Sequence, residues 1–185
     1  MRKLKNEELD RLSVEEYKSA EKSKLILILD NIRSLNNIGS VFRTADAFRI
    51  QHIYLCGITA QPPHREIQKT ALGSTDSVSW SYVEDTIQVV NDLKVKGVKI
   101  LSIEQAENST MLQDFKFDPK KTYAMIFGHE VKGVQQEVVN ASDDVIEIPQ
   151  YGTKHSVNIS VSVGICCWSY FEKNNPSSTF PEGRS

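Results

Sequence analysis

The chain has 185 residues, 39% of them hydrophobic and 25% charged, with a formal net charge of −2. That length suits one domain with a real core, and the mild acidity argues against a strongly basic nucleic-acid binder while leaving room for a local basic face. No apolar run approaches the roughly 18 residues of a membrane span, MRKLKNEELD is no signal peptide, and three cysteines make neither a disulfide framework nor a zinc pattern. No membrane and no metal are therefore expected, and a reducing cytoplasm fits best.

Residues 6–22 read as a helix, with Ser13 and Glu16 as a capping box and Leu12 and Tyr17 as its staple. Basic residues from Arg2 to Lys24 crowd this extension among acids, as on a solvated helical face. Residues 1–24 are accordingly set apart as an N-terminal helical extension, 25–173 as the main domain and 174–185 as a loose tail. Leu25–Leu29 is a continuous apolar run, as in a parallel strand buried on both faces. Asn37 is expected to cap a helix from Ile38 to about Phe48. His52–Cys56 reads as a strand and Arg65–Leu72 as a short helix ended by Gly73. The alternation Val78, Trp80, Tyr82 suggests a strand with one buried face. A helix follows from an Asp85 cap to Lys96, with Ile87, Val90 and Leu93 inward and Gly97 as its stop. Val98–Ile103 is the next strand, and 104–119 is mostly loop. Tyr123–Phe127, a helix over 134–141, Val145–Ile148 and a last helix over Ile159–Glu172 complete the pattern. Strands alternate with helices, so the fold class is α/β with a mainly parallel sheet flanked by helices.

Chemistry concentrates in three clusters. Asn37-Ile38-Gly39-Ser40-Val41-Phe42-Arg43 follows the first strand; a plain helix cap explains Asn37, while an arginine near a strand's carboxyl end suits a phosphate or carboxylate. Gly128-His129-Glu130-Val131-Lys132-Gly133 follows a strand but is no Walker loop, because Val134 and Gln135 stand where Lys and Ser/Thr are required. There is no GxGxxG either, so neither ATP nor a nicotinamide cofactor is supported. Ile148-Pro149 leads to Ser156-Val157-Asn158, where Asn158 or Ser156 can cap the last helix. That helix is read as small on one side (Ser160, Ser162, Gly164) and apolar on the other. In an open α/β sheet, ligands collect outside the carboxyl ends of the strands.

Together, in this order, the three clusters resemble the motifs of the SpoU/TrmH family of RNA ribose methyltransferases, within the SPOUT superfamily. Asn37, Gly39 and Arg43 match its Asn-x-Gly-x-x-x-Arg motif. Gly128, Glu130 and Gly133 match its Gly-x-Glu-x-x-Gly loop, and Ile148, Pro149, Ser156 and Asn158 match its third motif. The resemblance covers about residues 25–172. Departures are Leu35 where many members have Pro, Gln150 where Met is common, and Val157 where Leu or Met is common.

The resemblance implies a SPOUT-type α/β knot with a C-terminal trefoil knot, a homodimer with the last helix at its interface, and S-adenosylmethionine as cofactor. It implies methylation of a ribose 2′-hydroxyl in RNA, more readily tRNA than rRNA. Arg43, Asn37, Glu130, Ser156 and Asn158 would then serve catalysis. Ile103, Gly128, Glu130, Gly133, Ile148, Pro149, Val157 and Asn158 would hold the cofactor. Arg43 would meet RNA near the target ribose. Competing expectations are an rRNA 2′-O-methyltransferase, a non-catalytic RNA-binding homologue on the same scaffold, and a methyltransferase for a small molecule.

Overall fold

In the computed structural model, which describes residues 1–174, seven parallel strands form one sheet in the order β3-β2-β1-β6-β4-β7-β5. In chain order these are β1 (Ser23–Asp30), β2 (Ile50–Cys56), β3 (Trp80–Val83), β4 (Lys99–Ile103), β5 (Thr110–Met111), β6 (Tyr123–Phe127) and β7 (Asp144–Glu147). The helices are α1 (Val14–Ser19), α2 (Leu35–Ala47), α3 (Arg65–Ala71), α4 (Ser74–Ser77), α5 (Thr86–Val95), α6 (Gln136–Ala141) and α7 (Ile159–Asn174). The α/β architecture expected from the alternation of strands and helices is present. No helix among the described residues is long and apolar enough to cross a membrane.

Alternation along the strands divides the core into two layers. Leu25, Leu27 and Leu29 point to one face of β1, where α2, α3 and α7 pack through Ile38, Phe42, Ile67, Val163 and Cys167. Ile26 and Ile28 point to the other face, against Val89, Val90 and Leu93 of α5 and Val138 of α6. Both faces are covered, which is why β1 and β6 read as unbroken apolar runs. All three cysteines are free and buried. Burial pushes the Cys56 and Cys167 thiols up to about 12, so they behave as inert core residues.

Several local expectations are corrected. The segment 6–22 is not one helix: a 3₁₀ turn at Asn6–Glu8 and the six-residue α1 are separated by Asp10 in a left-handed conformation and by extended Ser13. The Ser13–Glu16 capping box does form. Leu12 stays exposed, however, while Tyr17 is buried and its hydroxyl donates to the Ala45 carbonyl at 3.4 Å, so Tyr17 ties the extension to α2. The cap of α2 is Ser34, whose Oγ accepts from the Asn37 N–H at 3.3 Å; the helix begins at Leu35, and Asn37 lies inside its first turn. Leu72 and Gly73 both take positive φ and start the unexpected α4. β3 is an edge strand with Tyr82 exposed, and Val78 is buried just before it. In α5 the buried residues are Thr86, Val89, Val90 and Leu93, with Ile87 only half-buried. The loop 104–119 contains β5, two residues that extend the sheet beyond β7. Asn174, expected in a loose tail, ends α7; residues 175–185 of that tail lie outside the described residues.

Candidate functional site

The strand order places β6 between β1 and β4, and β7 beside β4. The loop after β6 (128–133) and the loop after β7 (148–158) therefore meet at the carboxyl edge of the sheet. They enclose a pocket of about 420 Å³. Ile103, Phe127, Ile148 and Val157 give its wall an apolar side, while Gly128, Glu130, Gly133, Ser156 and Asn158 give it a polar one.

Close packing shapes the loop after β6. A Cβ on Gly128 would stand 2.1 Å from both the Gly133 carbonyl carbon and the Val134 nitrogen, so the loop closes on itself only around glycine. The turn is fixed by the Gly133 N–H donating to the His129 carbonyl at 2.8 Å, with Gly133 at φ 70°.

Glu130 leaves this turn and reaches α2. Its carboxylate accepts from the backbone N–H groups of Arg33 at 3.1 Å and Ser34 at 2.9 Å, and from Asn37 Nδ2 at 3.4 Å. A carboxylate at the start of a helix is favoured by the unpaired N–H groups and the helix dipole. Desolvation raises the pKa of Glu130, but the Ser34 and Arg33 backbone donors and Asn37 together outweigh it, and the pKa falls below the usual glutamate range. Asn37 then extends the chain of bonds. Its Oδ1 accepts from Asn158 Nδ2 at 3.2 Å, and Asn158 Oδ1 caps α7 by accepting from the Ser160 N–H at 2.9 Å. Residues 37, 130 and 158, far apart in the chain, thus form one network joining both loops to the starts of α2 and α7.

Two expected members stand apart. Arg43 does not share the carboxyl edge with Asn37, because six residues along a helix advance it roughly 9 Å. It opens instead on a second groove of about 550 Å³ beside α7, with Ser40, Thr44, Lys69, Thr70 and Ser160. Lys69 there is paired with Glu66 at 2.7 Å, whereas Arg43 makes no ion pair among the described residues. Pro149 is half-buried between the two Ile148 and Gln150 wall residues and does not itself line the pocket. On α7 the expected small-residue face is divided: Ser160 and Gly164 line the Arg43 groove, and Ser162 lines the pocket. The exposed stripe is large and apolar, made of Val161, Ile165 and Trp168.

Two carboxylates were missed by sequence reasoning. Asp30, fully buried at the end of β1, accepts from Gln135 N at 3.2 Å, Gln135 Nε2 at 2.9 Å, Thr86 Oγ1 at 2.6 Å and Asn31 Nδ2 at 2.8 Å. Glu104, just past β4, accepts from the Val134 N–H at 2.9 Å. The strands on either side of β6 thus hold two successive N–H groups at the exit of its loop. The only signal in the chain was an acid directly after each apolar run.

This arrangement is that of an open parallel α/β protein with a ligand pocket at its strand ends, built on two loops and braced by carboxylates and amides. The chain belongs to the SpoU rRNA Methylase family, whose model matches residues 24–168. It is 26% identical over 144 residues to the 23S rRNA (guanosine-2'-O-)-methyltransferase RlmB of Bordetella pertussis, covering 78% of this chain and 58% of that protein. It is 28% identical over 147 residues to the tRNA (guanosine(18)-2'-O)-methyltransferase of Aquifex aeolicus, covering 76% of this chain and 65% of the relative. The chain thus spans about three fifths of the length of these relatives. Among solved structures, the A. aeolicus TrmH/SpoU tRNA modifying enzyme superposes with a TM-score of 0.76 at 25% identity, over 86% of this chain and 80% of that one. The AdoMet-bound rRNA methyltransferase of Sinorhizobium meliloti gives 0.75 at 25% identity, over 82% and 57%.

Proposed function

We propose that the chain methylates a ribose 2′-hydroxyl of RNA with S-adenosylmethionine as donor, that tRNA is its substrate, and that it works in the cytoplasm as a homodimer with a knotted C-terminal region. The observation that carries the reading is the pocket between the two loops, braced by the Glu130–Asn37–Asn158 network and lined as a nucleoside with a charged tail requires. Its apolar side suits an adenine ring, and its polar side suits a ribose and an amino-acid moiety. Ile103, Gly128, Ile148 and Val157 would hold the nucleoside, with Gly133 and Pro149 shaping the loops around it. Glu130 and Asn158 would fix those loops and orient the amino-acid part.

When bound, S-adenosylmethionine supplies a methyl group already activated on a sulfonium. The protein's task is then alignment and the removal of one proton from the acceptor hydroxyl. The Arg43 guanidinium is a fork of N–H donors with no acceptor, suited to gripping a phosphate and not to taking a proton. Its role is to hold an RNA phosphate in the groove beside α7 while the acceptor ribose lies at the pocket. Asn37 and Ser156 would keep the two loops in the geometry that transfer needs.

The homodimer is supported by the α7 stripe, where Val161, Ile165 and Trp168 are 49%, 37% and 53% exposed. Phe48 and Phe171 pack against Trp168 and stiffen it. An exposed run of large apolar residues on one helix face marks an association surface. The choice of tRNA is in keeping with the superposition on the A. aeolicus TrmH/SpoU tRNA modifying enzyme at a TM-score of 0.76.

The test is methyl transfer from labelled S-adenosylmethionine to purified tRNA and, separately, rRNA, followed by nucleoside mapping. A 2′-O-methyl nucleoside in tRNA is the expected product; the same product in rRNA alone would move the substrate. Arg43→Ala should keep cofactor binding and lose transfer. Equal loss of both would remove Arg43 from the RNA side of the reaction.

A further inference from the structure

At the mouth of the pocket each of the two loops carries an exposed apolar side chain near an unpaired lysine. After β6, Val131 is 82% exposed and Lys132 follows it. After β7, Tyr151 is 95% exposed and Lys154 lies three residues on. Among the described residues neither lysine makes an ion pair. Val131 and Lys132 line the pocket, and so do Gln150 and His155 on either side of Tyr151. Each loop carries one bond near the rim. The Val131 N–H donates to His129 Nδ1 at 3.0 Å, and Gln105 Nε2 donates to the His155 carbonyl at 2.9 Å. The rim thus carries a cation and an apolar group on each side.

We infer that Tyr151 is the stacking platform for the base of one extruded RNA nucleotide, with Lys154 and Lys132 meeting its flanking phosphates. This rests on the RNA-methylation reading above and names how the same site grips its substrate. An aromatic face stacks on any base and loses little conformational freedom in doing so, and unpaired lysines neutralise phosphates. A ribose whose hydroxyl must enter the pocket has its base turned outward, toward the rim where Tyr151 stands. The chain as a whole is mildly acidic, so the two lysines are a local match to a polyanion.

The test uses the full-length protein, an unmodified in-vitro-transcribed tRNA pool, and four readouts: methyl transfer, RNA binding by filter retention, cofactor binding by calorimetry, and sedimentation. Tyr151→Ala should raise the RNA KM and Kd about tenfold or more, in line with the loss of one stacked base. Tyr151→Phe and Tyr151→Trp should restore both, with cofactor affinity and sedimentation unchanged. Lys154→Ala should lower the salt slope of RNA binding by roughly 0.7, the value for one single-strand phosphate contact. Wild-type transfer with an unchanged RNA KM in Tyr151→Ala would overturn the assignment and leave the methylation reading standing. Loss of activity together with a slower-sedimenting species would overturn it in favour of a contact between two copies. RNA binding that weakens in Tyr151→Ala, with no transfer even in the wild type, would uphold the platform and defeat the methylation reading. No binding and no transfer by the wild type would defeat both.

Discussion

The two halves of the sheet end differently at the same carboxyl edge. After β1 and β2 the chain is sealed by its own side chains. Thr59 Oγ1 accepts from the Ile32 N–H at 2.9 Å and donates to the Leu29 carbonyl at 3.0 Å, Asn31 Oδ1 accepts from the Ile58 N–H, and Tyr82 donates to the Gly57 carbonyl. After β4, β6 and β7 the loops stand apart and enclose the pocket, which takes no wall residue from β2 or β3. Both halves satisfy their backbone groups, as buried strand ends must. The first does so by turning inward. The second does so with carboxylates reaching across from neighbouring elements, and this leaves a cavity. Function sits where satisfaction comes from a distance.

Changes on the open side should therefore act on activity, and changes on the sealed side on stability. The largest effect is expected from Glu130→Ala, which frees three donors at the start of α2 and cuts the link through Asn37. Methyl transfer should fall about 100-fold, the scale of a small misplacement of reacting groups, while the melting temperature barely moves because Glu130 is exposed. Steady-state transfer and calorimetric melting check this. Asp30 lies on the border between the halves. Asp30→Ala strands Gln135, Thr86 and Asn31 donors in a buried site and should cost about 3 kcal/mol, read by urea unfolding. It should also weaken cofactor binding, because Gln135 follows the pocket loop. On the sealed side, Thr59→Val should cost about 1–2 kcal/mol through the unpaired Ile32 N–H and leave cofactor affinity unchanged. A change in affinity as large as that of Asp30→Ala would erase the distinction between the halves.

The smallest effect is in pH. Glu130 has its pKa depressed in the folded state. Its contribution to holding the loop is complete above the ordinary glutamate pKa of about 4.3 and is lost as pH falls through the lower folded value. Cofactor affinity attributable to this brace should be flat from neutral pH down to about 5 and fall only in more acid solution. A titration of binding between neutral and acid pH measures it, and a loss centred near pH 6 would contradict the assignment of the brace to Glu130.

Much of the sheet is legible from the chain because both faces of β1 and β6 are buried, so Leu25–Leu29 and Tyr123–Phe127 stand out as apolar runs. Three polar residues, Ser34, Asn36 and Asn37, compete to cap α2, and propensity does not rank them. The structure chooses Ser34 and frees Asn37 for the network. β5 has two residues and no pattern; it exists because Leu112 donates its N–H to the Glu147 carbonyl and extends the edge. Asp30 and Glu104 were hidden for a different reason. Their partners at 134 and 135 become neighbours only when β6 inserts between β1 and β4, an order that periodicity does not encode. Arg43 sits on α2 as its spacing predicts, but the six residues from Asn37 carry it along the helix axis away from the strand ends and onto the groove beside α7.

The most direct measurement is calorimetric titration of S-adenosylmethionine into the wild-type protein and into Gly128→Ala. The wild type should bind one cofactor per chain. Gly128→Ala should bind at least about tenfold more weakly while staying folded, because its Cβ meets the Gly133 and Val134 backbone and forces the pocket loop open. Absence of binding to the folded wild type, or equal affinity in the two proteins, would contradict the assignment of this pocket to the cofactor.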